Sequence, residues 1–155
     1  MRLPVTLRRL GFRLVYAILR IYWFVFRPRL SGVKCVLTDG TRVLLVRHTY
    51  GSRNWEVPGG GIKRHEPPSR AARREMREEL GVDVEAWTAL GELPATIHAR
   101  RGMLHCFQAT VPDVKIAPDR GELAAARWFA PTELPSHLGP DVASIIARAR
   151  LRTAP

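Results

Sequence analysis

Gly59-Gly60-Gly61-Ile62-Lys63-Arg64-His65-Glu66-Pro67-Pro68-Ser69-Arg70-Ala71-Ala72-Arg73-Arg74-Glu75-Met76-Arg77-Glu78-Glu79-Leu80-Gly81-Val82 is the stretch that decides the fold of this 155-residue chain. Its second half is a helix with legible ends. Pro68 suits the first turn, where its missing N–H costs nothing, and Gly81 suits the left-handed position just past the last turn. At about 100° per residue the side chains sort into three faces. Ala72, Met76 and Leu80 form an apolar stripe, Arg70, Arg73 and Arg77 a basic one, and Glu75, Glu78 and Glu79 an acidic one. Like charges at such spacings destabilise a helix by a few tenths of a kcal/mol per pair. A solvated helix laced with Arg–Glu pairs is one reading. A site for hard divalent cations is the other, because Mg²⁺ takes carboxylate and phosphate oxygens. The glycines before the helix favour the second, since bare backbone can approach a ligand and point carbonyls or N–H groups at it.

The spacing is Gly60, five residues, Glu66, seven residues, then Arg74-Glu75-Met76-x-Glu78-Glu79-x-Gly81-Val82. This resembles the Nudix box, with nine specified positions filled over 23 residues. A looser likeness in the order of strands extends over residues 32–150. The resemblance implies a Mg²⁺-dependent hydrolase, with Mn²⁺ able to substitute, that cleaves a diphosphate linkage in a nucleoside diphosphate joined to another group. It implies that Glu75, Glu78 and Glu79 ligate the metal together with the Gly60 carbonyl. Arg74 would orient the carboxylates, and Glu66 would brace the loop on the helix and reach the metals through water. Which glutamate acts as base varies within the family. Glu122 is a second candidate, standing six residues before Trp128 as in some members that clear oxidised nucleotides; a solvated loop carboxylate is the plain alternative. His65 and Pro67 depart from the common pattern. A Pro in place of a Ser or Thr cap costs on the order of 1 kcal/mol. The alternative function is a Nudix-fold module that binds a nucleotide or RNA without cleaving it.

Composition fits one globular domain with a sizeable core: 46% of residues are apolar. The formal charge of +11 comes almost wholly from arginine, since Lys34, Lys63 and Lys115 are the only lysines. Such a balance suits polyanions: nucleotides, RNA or an anionic membrane surface. A nucleotide is the expected partner, and no stable nucleic-acid complex is expected. Cys35 and Cys106 sit in apolar runs and read as buried thiols, which points to the cytoplasm or another reducing compartment.

The chain divides into an N-terminal helical segment, residues 1–30, and the Nudix domain, residues 31–155. Residues 3–26 read as one helix, apolar nearly all round, with a narrow stripe of Arg2, Arg9, Arg13, Arg20 and Arg27. Its apolar run is too short and too charged for a membrane span. It must still be covered. The Nudix domain, a second copy of the chain in a homodimer and an anionic membrane surface all remain open.

Beyond it, 33–37 and 42–46 read as strands joined by an Asp39-Gly40 hairpin turn. Arg47 to Asn54 reads as a polar loop, and Arg47, His48, Tyr50 and Arg53 are its candidate substrate contacts. Trp55 to Val57 is a short strand. After the box, 82–93 and 103–111 read as strands with a basic turn at 99–102. Ala124 to Phe129 is a strand, 131–134 a turn of helix and 140–151 a closing helix. The pattern predicts an α/β fold with helices on both faces of a mixed sheet. In Nudix terms this is an α/β/α sandwich, with an extra N-terminal amphipathic helix.

Overall fold

A computed structural model describes residues 4–26, 30–97, 100–112 and 114–151. In chain order the elements are α1 (Val5–Phe26), β1 (Leu30–Thr38), β2 (Val43–His48), β3 (Trp55–Glu56), β4 (Gly59–Gly61), α2 (Pro68–Leu80), β5 (Thr88–Ile97), β6 (Arg100–Thr110), β7 (Leu123–Phe129) and α3 (Val142–Ile146). The strands form one seven-stranded sheet in the order β3-β2-β1-β6-β5, with β4 added beside β1 and β7 beside β2. β1 and β6 run parallel and the other pairs are antiparallel, so the sheet is mixed, as expected.

Alternation along the strands builds a core on each face. Val33, Cys35 and Leu37 point toward Ala72, Met76 and Leu80 of α2. Val36, Val43 and Leu45 point toward Val142, Ile145 and Ile146 of α3. This is the α/β/α sandwich, and both cysteines are buried and free.

The sheet forks beside β1. β2 meets β1 only at Thr38–Val43, then turns away to pair with β7 from Val43 to His48. At its other end, β1 pairs with the glycines of β4. The gap between β2 and β4 is a cleft of about 870 Å³.

Several sequence readings are corrected. The glycines form a strand rather than a free turn: Gly59 sits at φ 154° against the Val33 carbonyl, where a Cβ would collide with backbone. β2 continues to His48 because β7 offers partners that far. β5 starts only at Thr88, opposite Gln108, close to the end of β6 at Thr110, so that residues 82–85 lie past the last residue of β6. Arg100 and Arg101 lie in β6 rather than in a turn, paired with Ile97 and Thr96; Ala99 lies outside the described residues. Residues 131–134 make a turn closed by Glu133 N–H on the Ala130 carbonyl, with no helix. The closing helix stops at Ile146, and the Gln108 side chain exchanges two hydrogen bonds with the Arg150 backbone, at 2.8 Å each, holding the chain beyond in a non-helical path.

α1 lies across the loops 49–51 and 119–121. Arg8 pairs with Asp119, Arg9 donates to the Arg120 carbonyl at 3.0 Å, and Arg13 to the Thr49 carbonyl at 3.3 Å. Phe12 and Tyr16 face the Tyr50 ring, with centroids at 6.3 and 5.0 Å. Arg2 and Arg27 of the expected stripe lie outside the described residues. No helix among the described residues is long and apolar enough to cross a membrane.

Candidate active site

α2 projects the box side chains toward the glycines of β4, which line the cleft. Pro68 opens it at N1, and Gly81 closes it at φ 67° with its N–H on the Arg77 carbonyl. Met76 and Leu80 are fully buried and fix the rotation of the helix, and that rotation presents Glu75 and Glu79 to β4. The two go inward to different depths. Glu79 is only 2% exposed, whereas Glu78 stays near solvent.

Arg74 is the hub. Its guanidinium makes a two-pronged contact with Glu66, at 2.8 Å on each oxygen, and donates to the Gly61 carbonyl at 2.8 Å. It also pairs with Glu75 and reaches Glu78 at 3.3 Å. Glu66 additionally accepts the Lys63 N–H at 2.9 Å, so both its oxygens are committed to the loop and to Arg74. That pairing draws the Glu66 carboxyl down to about 2.

Gly60 leaves room for the Glu75 carboxylate, because a Cβ there would push that carboxylate away from its bond to Arg74. Gly59 N–H donates to Glu79 Oε2 at 3.3 Å. Burial, reinforced by Glu122 and Glu75, raises the Glu79 pKa well above the usual carboxylate range. Burial raises Glu75 as well, opposed by its bond to Arg74. Three acceptors crowded into a partly buried site repel one another, and a bound cation relieves that repulsion.

The far wall was not legible in the box. His48 at the end of β2, Glu79 of α2 and Glu122 just before β7 bring one ligand atom each within 4.8 Å of one another. Burial, helped by the Lys34 ammonium, lowers His48 to about 4, so the imidazole is neutral at pH 7. Its Nδ1 is buried with no hydrogen-bond partner among the described residues. Glu122 accepts the Tyr50 hydroxyl at 2.9 Å, and its pKa is raised by burial despite that bond. The β2–β7 register, which places His48 opposite Leu123, creates this cluster. Only that long-range pairing could have disclosed it. Lys34, in ion pair with Glu56 at 2.8 Å, was also missed and lines the same cleft.

Of the loop candidates, His48, Tyr50 and Arg53 line the cleft. Arg47 does not: successive strand residues point to opposite sides, and its guanidinium lies over the Trp55 ring at 5.3 Å.

The family model described as NUDIX domain matches residues 28–149. The chain belongs to the Nudix hydrolase family. An RNA pyrophosphohydrolase from Dinoroseobacter shibae is 30% identical over 128 residues, covering 69% of this chain and 80% of that protein. An ADP-ribose pyrophosphatase from Mycobacterium tuberculosis is 48% identical over 48 residues, 30% of this chain and 23% of that one. Against several of these relatives, then, the Nudix chain spans well under half the partner's length, as with the Teredinibacter turnerae RNA pyrophosphohydrolase at 34%. A MutT Nudix hydrolase from Burkholderia pseudomallei shares the fold at TM-score 0.73 and 23% identity, covering 79% of this chain and 99% of that one.

The donors fit the divalent cation that Nudix chemistry uses. They are carboxylates, the hard oxygen donors Mg²⁺ prefers, beside the neutral imidazole of His48, which Mn²⁺ also accepts.

Proposed function

We propose that the protein is a pyrophosphohydrolase that cleaves a diphosphate linkage in a nucleoside diphosphate joined to a second group, such as a nucleoside triphosphate or a nucleotide sugar. The observation that carries this is the gathering of Glu75 and Glu79 against the bare glycine backbone of β4, with Glu122 and the cleft-lining His48 grouped beside Glu79. The names of the relatives, RNA pyrophosphohydrolase and ADP-ribose pyrophosphatase, support the same reaction class.

In this reading Glu75, Glu78, Glu79 and the Gly60 carbonyl hold Mg²⁺, or Mn²⁺ in its place. When bound, the cation neutralises phosphate charge and lowers the pKa of a coordinated water. The chain's own residues do the rest. Arg74 and Glu66 fix the carboxylates and the glycine strand in one geometry, and the paired guanidinium prevents Glu75 from drifting off the site. Glu122, held by the Tyr50 hydroxyl through Oε1, keeps its second oxygen for a proton from the attacking water. His48, Tyr50 and Arg53 bind the nucleotide. The neutral imidazole can accept or donate one hydrogen bond, and Arg53 offers a fork to phosphate. The free buried thiols suit a cytoplasmic site of action.

The test is a substrate panel with Mg²⁺: nucleoside triphosphates, nucleotide sugars, ADP-ribose and 5′-triphosphorylated RNA, read by phosphate release with and without added phosphatase. Glu78→Gln and Glu79→Gln should each lower kcat by about 10²-fold or more with the fold intact. Unchanged turnover in both variants would refute the metal assignment. Tight binding of a panel member without turnover, at high enzyme and Mn²⁺, would select the non-catalytic binding module instead.

A further inference from the structure

α1 uses one side to hold the domain and leaves the other bare. Arg8, Arg9, Phe12, Arg13 and Tyr16 make the inward contacts. On the outward side Leu7, Leu10, Leu14, Ile18, Ile21 and Val25 recur at spacings of three and four, each between 50% and 68% exposed. A continuous apolar stripe of this length on a helix marks an interaction surface rather than ordinary solvent exposure.

Charge identifies the occupant. The chain carries +11, and α1 has no acidic residue; of its four arginines, Arg8, Arg9 and Arg13 are engaged with the domain. The sequence places Arg2 before the helix, and Arg27 and Arg29 after it. A second copy of the chain would bring the same positive charge to the same surface, with no carboxylate on α1 to form interhelical pairs. An anionic bilayer supplies both requirements, hydrocarbon for the stripe and a negative surface for a chain of net charge +11. We propose that α1 seats the protein on an anionic membrane surface through Leu7, Leu10, Leu14, Ile18, Ile21 and Val25.

The seat also fixes where the cleft opens. Val15, one turn from Ile18, borders the stripe, is 54% exposed and lines the cleft as well. A bilayer under the stripe therefore lies at the cleft mouth. The inward face of the same helix rests on Thr49, Tyr50 and the 119–121 loop beside Glu122, so the seating element and the site share contacts.

The test is vesicle flotation of the full-length protein, which needs no turnover and so stands or falls apart from the hydrolase reading. Vesicles of phosphatidylcholine with about 30% phosphatidylglycerol should carry the protein to the top of the gradient, and phosphatidylcholine alone should carry much less. The double variant Leu14→Glu/Ile18→Glu should lose about ten-fold or more of the bound fraction. Its melting temperature should match the parent, because both side chains face solvent. If that variant folds poorly, Leu10→Gln/Ile21→Gln makes the same comparison with smaller changes. Wild-type protein that ignores the anionic vesicles overturns the proposal, as does binding that survives in the folded variant. A dimer mass by light scattering that falls to monomer in the variant would assign the stripe to a second copy instead, and would overturn it too.

Discussion

Arg74→Lys tests whether the site is held together by one guanidinium. Arg74 is 19% exposed, and its partners Glu66 and Glu75 are 15% and 14% exposed, so water competes weakly for these contacts. The fork serves two oxygens of Glu66, the Gly61 carbonyl, Glu75 and Glu78 at once. A lysine ammonium keeps the charge, yet it cannot span both Glu66 oxygens and still reach the Gly61 carbonyl. Hydrogen bonds to charged groups contribute about 1.5–3 kcal/mol each when removed singly, and the retained charge recovers part of the sum. The expected net loss is about 2–3 kcal/mol, which for a chain of this size lowers Tm by about 4–12 °C. Urea unfolding of wild type, Arg74→Lys, Glu66→Gln and the double variant isolates the pair. The coupling energy should be about 1–2 kcal/mol. Additivity within about 0.5 kcal/mol would refute the view that Glu66 and Arg74 act as one brace, and a Tm within a degree of wild type would refute the hub itself.

Gly60→Ala displaces the Glu75 carboxylate from Arg74; turnover should fall by about ten-fold or more, at a stability cost of only about 1 kcal/mol, read by kinetics beside thermal melting. Met76→Ala empties a fully buried position between α2 and β1 and should cost about 2–5 kcal/mol in denaturant unfolding, with a cost under 1 kcal/mol contradicting the packing. Burial pushes the Asp39 carboxyl up, but hydrogen bonds from the Arg42 and Thr41 backbone N–H groups and side chains overcome it and hold the group at about 2. Its folded value lies below the unfolded one, so its contribution is complete above about pH 4 and is lost as pH falls toward 2. Asp39→Asn should therefore be less stable than wild type at pH 7 by on the order of 1 kcal/mol, with the gap closing at low pH, and a gap independent of pH would count against it.

α2 was readable to the residue because its signals are local: Pro68 and Gly81 at the ends, and a 3.6-residue period between them. The box carboxylates came with it, since a helix fixes their relative directions without help from the rest of the chain. The Asp39-Gly40 hairpin was readable for the same reason. Strand limits were not. β2 reached His48 and β5 waited until Thr88 because a strand ends where its neighbour ends, and the neighbour is chosen by the whole sheet. The same dependence decided the far wall of the site. His48 and Glu122 are 74 residues apart, and only the pairing of β2 with β7 sets them beside Glu79. It also decided that Arg47 stacks on Trp55 while its neighbour His48 enters the cleft. For α1 the sequence determined that apolar surface had to be covered somewhere. The tertiary contacts decided which side the domain covers, because Asp119, Thr49 and Tyr50 supply the acceptors and the ring that the Arg8, Arg13 and Tyr16 side of the helix can meet.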